Sequence, residues 1–160
     1  DVRMPGIDGI TATTDLLAEM REQAPRVLVL TTFDEDEAAA RAIEAGASGF
    51  VLKDAQPEFL LAAIRAIVDG SQVVAASATR QLFERHRRRA GAPGPEYAAL
   101  TAREREILEL AARGLSNAEI AAAETLSEAT VKTHISRILT KLSVRDRVQL
   151  VVYAYDHGLV

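Results

Sequence analysis

The stretch from Ser116 to Leu142, SNAEIAAAETLSEATVKTHISRILTKL, limits what this chain can fold into more than any other. Val131, Ile135, Ile138 and Leu142 recur at steps of four, three and four, so they share one stripe of a helix and predict a buried seam. At about 100° per residue, the side opposite that seam carries Thr133, Ser136, Arg137 and Thr140, flanked by Lys132 and Lys141. Short hydroxyl side chains allow a helix to approach a surface closely, while Lys and Arg reach phosphates or the N7 and O6 acceptors of guanine. Such a helix suits a DNA major groove.

Local start signals agree with this parsing. Ser116 with Glu119 fits a capping box, in which the hydroxyl and the carboxylate each satisfy a free backbone N–H. Ser127 caps the next helix, and Thr101 with Glu104 and Ser143 with Asp146 give two further starts. Four helices are predicted, from about 102 to 113, 117 to 123, 128 to 142 and 145 to 157, with Gly114 stopping the first. In the last, Val148, Val151, Val152 and Tyr155 form the expected core side, which leaves Leu150 and Tyr153 over as a candidate partner surface.

The net charge of −4 is unusual for a chain that meets DNA, but the average hides the distribution. From Thr101 onward there are eight Lys or Arg and eight Asp or Glu, whereas Lys132 to Arg147 holds five cations and one acid. Attraction to phosphate follows that local field. Cysteine is absent, which excludes a disulfide framework and Cys-based zinc sites and permits a reducing cytoplasm. His134 has no other His or Cys at ligand spacing, so no metal site is expected around it. No apolar run is long enough to span a bilayer. The expectation is a soluble, cytoplasmic protein without a membrane partner.

The first part of the chain reads differently. Residues 10 to 22 suit a helix, RVLVLT at 26 to 31 a buried strand, 36 to 45 an Ala-rich helix ended by Gly46, and 49 to 52 a second strand. Pro57 starts a helix reaching Asp69. Helices alternating with short apolar strands predict an α/β layer with parallel strands. Ser77 to Arg89 reads as a helix trailing into basic linker, where Arg85 to Arg89 are solvated charge or a second DNA-binding arm, and AGAPGPE then marks a boundary at Ala90 to Tyr97.

Leu100 to Val160 closely resembles the LuxR-type helix-turn-helix domain at the C-terminus of NarL/FixJ-class response regulators. The motifs TxREREIL, GxSNxEIA and SxATVKTHxSRIxxKL occur in order and at that family's spacing. One departure is Glu124, where such domains usually carry an apolar residue. DVRMPGIDG, VLVLTTFD and AGASGFVLKD resemble the second half of a receiver domain, the CheY-like five-stranded fold. The implied fold class is α/β plus all-α: the C-terminal half of a receiver (1–76), a linker helix and flexible linker (77–99), and a four-helix LuxR-type domain (100–160).

The resemblance implies that Asp1 is the phosphoacceptor, Thr31 the switch hydroxyl, Phe50 the switch aromatic and Lys53 the phosphate-binding lysine. It also implies that the first two receiver strands, nearly all of the third and the acidic pair that helps bind Mg²⁺ lie upstream. Asp1 and the Arg3 carbonyl would then not hold the ion alone, and no cofactor is expected in this chain. On the reading helix, base edges are assigned to Lys132, Thr133 and Ser136, and phosphates to Thr130, Arg137 and Lys141. In the family the last helix supports dimerisation on DNA, so Leu150 and Tyr153 are the expected homodimer contacts.

The expected function is a two-component response regulator that binds double-stranded promoter DNA and takes its phosphoryl group from a histidine kinase. A rival is a phosphorylation-independent module whose helix-turn-helix grips a protein. Region four of a sigma factor shares a similar TxxE and TVK arrangement, but the receiver-like half argues against it. An enzyme is not expected, since no nucleophile–base pair or ligand set appears in the sequence.

Overall fold

A computed structural model describes residues 1–32, 36–69 and 91–160. The predicted helix at 77 to 89, the Arg85 to Arg89 cluster and most of the expected linker lie outside the described residues. The chain forms two compact units, Asp1–Leu82 and Phe83–Val160.

In the first unit, α1 spans Gly9–Met20 and starts at Asp8, whose carboxylate accepts from the Thr11 N–H at 2.7 Å. That bond holds the Asp8 carboxyl below its ordinary range. A 3₁₀ turn, Arg21–Gln23, follows, because Arg21 leaves the helical region with φ of 44°. Strands β1 (Leu28–Thr31) and β2 (Gly49–Leu52) pair in parallel, Leu28 opposite Gly49 and Thr31 opposite Leu52. Arg26 and Val27, expected in the first strand, precede it because the partner strand begins opposite Leu28, although the Val27 carbonyl still accepts from the Ser48 N–H.

Among the described residues of this unit, helices α2 (Asp36–Glu44) and α3 (Pro57–Val68) follow β1 and β2 respectively, the latter with Pro57 in its first turn. Val2, Ile10, Val29, Ala38, Ala39, Ala42, Ala47 and Phe50 form its core. The Ala-rich side of α2 thereby lies against the sheet, where small side chains permit close packing.

The second unit contains α4 (Pro95–Ala98), α5 (Ala102–Ala112), α6 (Asn117–Glu124), α7 (Glu128–Leu142) and α8 (Arg147–Asp156). The single turn of α4 falls where the composition predicted a linker, and Pro95 at its first position favours it. Both capping boxes are present, Thr101 with Glu104 and Ser116 with Glu119. Ser127 caps α7 by accepting from the Thr130 N–H at 3.1 Å. The start expected at Ser143 is displaced: Ser143 closes α7 at φ 55°, and Asp146 caps α8 by accepting from the Gln149 N–H.

Leu100, Ile107, Leu108, Ile120, Val131, Ile135, Ile138 and Leu142 meet in one core. Leu150 and Tyr153 join them, being 0% and 9% exposed. The expectation that these two form a free dimer surface is therefore corrected. α8 packs against both α5 and α7, so apolar residues beyond a single stripe are covered within the subunit.

Candidate nucleic-acid interface

The sequence of α7 dictates its two-sidedness. Val131, Ile135, Ile138 and Leu142 are all at most 5% exposed, whereas Lys132, Thr133, Ser136, Arg137 and Thr140 are exposed. The buried seam fixes the helix, and the remaining periodicity delivers cations and hydroxyls to solvent on one side. Thr133 Oγ1 donates to the Ala129 carbonyl at 2.9 Å, and Thr140 Oγ1 to the Ser136 carbonyl at 3.0 Å. With their protons turned back along the helix, these oxygens present lone pairs outward, which suits the amino groups of adenine or cytosine. Thr130 is half-buried, its hydroxyl 2.8 Å from that of Ser127 at the start of the helix.

Lys141 behaves differently from its expected role as a phosphate contact. Its ammonium lies 2.7 Å from Glu104 Oε2, so its charge is already matched inside the unit. Glu104 is 3% exposed and also accepts from the N–H and hydroxyl of Thr101. Burial pushes its carboxyl upward, but Lys141 and Thr101 outweigh that and hold it below the ordinary carboxylate range. One carboxylate thus caps α5 and fastens the C-terminal turn of α7.

Two further residues tie the elements around the reading helix to one another. Arg147, at the first position of α8, is buried and donates to the Asn117 side-chain oxygen at 2.9 Å and to the Leu115 carbonyl. Burial lowers its guanidinium to about 10. Arg103 of α5 donates to Glu106, Glu124 and the Glu124 carbonyl. Sequence reading assigned neither residue a role, since their partners lie 30 and 21 positions away and no local pattern signals them.

In the first unit, Lys53 Nζ lies 2.7 Å from Asp1 Oδ2. Thr31 ends β1 and is 4% exposed, and its carbonyl accepts from the Lys53 N–H at 2.7 Å. Phe50 on β2 is equally buried. Asp1 itself is set by Gly9, since a Cβ there would fall 1.7 Å from the Asp1 carbonyl oxygen. No group of three His, Cys, Asp or Glu side chains able to hold a metal occurs among the described residues. Mg²⁺ requires about six oxygens, so the donors among the described residues do not fit it.

A helix-turn-helix whose second helix shows an exposed cationic face, on a chain with a receiver-like α/β unit, defines a class of bacterial signalling regulators. Residues 98–154 match the family described as bacterial regulatory proteins, luxR family, and residues 1–65 match the response regulator receiver domain. The response regulator protein VraR of Staphylococcus aureus is 39% identical over 160 residues, covering 100% of this chain and 74% of that protein. VraR of Staphylococcus epidermidis is 38% identical over the same span. The chain belongs to the response-regulator family, joining a receiver domain to a LuxR-type DNA-binding domain.

Among solved structures, the response regulator ChrA of a heme-sensing two-component system is 41% identical, with 100% and 75% of the two chains covered and a TM-score of 0.42. An RcsB–DNA complex is 25% identical, with 98% and 72% covered and a TM-score of 0.43. Among the described residues, no helix is long and apolar enough to cross a membrane.

Proposed function

We propose that this regulator recognises promoter DNA through α7 and that a histidine kinase controls it through Asp1. The observation that carries the reading is the exposed row of Thr133, Ser136 and Arg137 opposite a buried seam, with exposed Lys132 on its flank. Lys132, Thr133 and Ser136 are assigned to base edges, and Arg137 with Thr130 to phosphates. Lys141 serves as a brace first and as a phosphate contact only where its bond to Glu104 opens. Two copies pairing on DNA would read half-sites about one helical turn apart, through surfaces other than Leu150 and Tyr153.

Residues 1–76 are proposed as the C-terminal part of a receiver, 77–99 as linker and 100–160 as the DNA-binding domain. In the phosphotransfer, an Asp1 carboxylate oxygen attacks phosphorus, the P–N bond of the phosphohistidine donor breaks, and the imidazole leaves with the bond pair. Lys53, already beside Asp1, offsets the negative charge of the transferred oxygens. The Thr31 hydroxyl then turns to the new phosphoryl group, and Phe50 follows it.

A gel-shift salt titration tests the DNA reading. Affinity is expected to fall steeply with salt, and Arg137→Ala, which removes a phosphate contact, to flatten the log–log slope by about 0.9. A slope near zero, or one that Arg137→Ala does not alter, refutes it and favours the protein-gripping alternative. In the same assay phosphorylation of the intact protein is expected to raise affinity, and equal affinities refute the switch alone.

A further inference from the structure

We propose that Arg103 and Glu124 form a bolt that sets the turn between α6 and α7, and with it the angle at which α7 meets the groove. This rests on the DNA-reading role given above. Glu124 is the last residue of α6, where a carboxylate adds negative charge to the negative end of the helix dipole and the last carbonyls lack helical partners. Thr125 follows at φ 54° and ψ 45°, a left-handed conformation that β-branched residues rarely adopt and that glycine usually fills. Local sequence therefore gives α6 little reason to stop there. Yet only Thr125, Leu126 and Ser127 separate the end of α6 from the first residue of α7.

The backbone closes the turn by donating the Leu126 N–H to the Ala121 carbonyl at 2.9 Å, and α5 adds the hold that the residue types themselves lack. One Arg103 amino nitrogen donates to the Glu124 carboxylate and, at 2.8 Å, to Glu106. The other donates to the Glu124 backbone carbonyl at 3.0 Å. A single guanidinium thus neutralises the misplaced acid and caps an orphan carbonyl of the same residue. Hydrogen bonds to Glu106 and to Glu124 both raise the Arg103 guanidinium above its ordinary range, so it stays charged. A planar fork gripping side chain and main chain together fixes rotation as well as position, which a lysine ammonium would not. Because Ser127 caps α7 two residues beyond Thr125, a tilt at the end of α6 passes directly into the reading helix. Arg103 and Glu124 are positioning residues.

The test uses the whole chain with Arg103→Lys, Glu124→Gln and the double variant. A duplex selected by the unaltered protein from a random pool is compared with a random-sequence duplex of equal length. Each single variant is expected to lower the ratio of selected to random affinity about fivefold, and the double variant no further, as befits one shared interaction. Amide resonances of residues 128–142 in the DNA-free protein are expected to shift in both single variants. A loss of stability alone would weaken both duplexes together and leave the ratio unmoved. An unchanged ratio, additive losses, or unshifted α7 amides overturns the bolt. If the unaltered protein binds neither duplex in a salt-dependent way, the DNA reading itself falls, an outcome distinct from these.

Discussion

Leu150→Ala separates a core residue from a docking residue. Leu150 has no exposed surface and sits among Ile107, Leu108, Ile138 and Leu142, so truncation removes buried methyl groups and leaves a cavity between packed helices. Such a change costs about 2–5 kcal/mol. A unit the size of residues 91–160 has about 4–10 kcal/mol of total stability, so the loss is a large share of it and lowers the melting midpoint by about 8–40 °C. Tyr153→Phe provides the graded control. Its hydroxyl lies 3.0 Å from Glu96 Oε1 while its ring stays in the core, so removing the hydroxyl alone costs about 1 kcal/mol. Urea unfolding followed by circular dichroism, at two widely separated protein concentrations, measures both. The reasoning is refuted if Leu150→Ala costs less than about 1 kcal/mol, or if its effect appears only at the concentration where subunits associate.

The Glu104 carboxyl, held below its ordinary value of 4.5 in the folded chain, contributes stability that is present above that value and lost as pH falls through the depressed one. Stability of the second unit is expected to fall as the pH drops below about 4.5, and Glu104→Gln to flatten that fall; an equal slope in the two proteins would show that other carboxylates dominate.

The reading helix was legible because its signals are local. The apolar steps of α7, the box at Thr101 and Glu104, that at Ser116 and Glu119, and the cap at Ser127 all lie within one or a few turns. The two strands were legible from continuous apolar runs, to within the residues that find a partner across the pair. α8 misled because a one-stripe reading assumes one neighbour, whereas this helix packs against two. Ser143 and Asp146 both carry capping chemistry, and which one starts α8 depends on how α7 ends. Periodicity places Lys141 at the margin of the exposed face, and nothing near it announces Glu104, 37 residues earlier.

Arg147 ties residues 115 and 117 to the first turn of the final helix, across 32 positions of chain. Every side chain assigned to the groove lies inside the loop that this stitch closes. A nascent polypeptide emerging from the ribosome therefore displays the complete reading surface before the knot behind it can be drawn tight. Premature termination ahead of Arg147 would release a product with the right letters for a promoter and no spine to hold them in order.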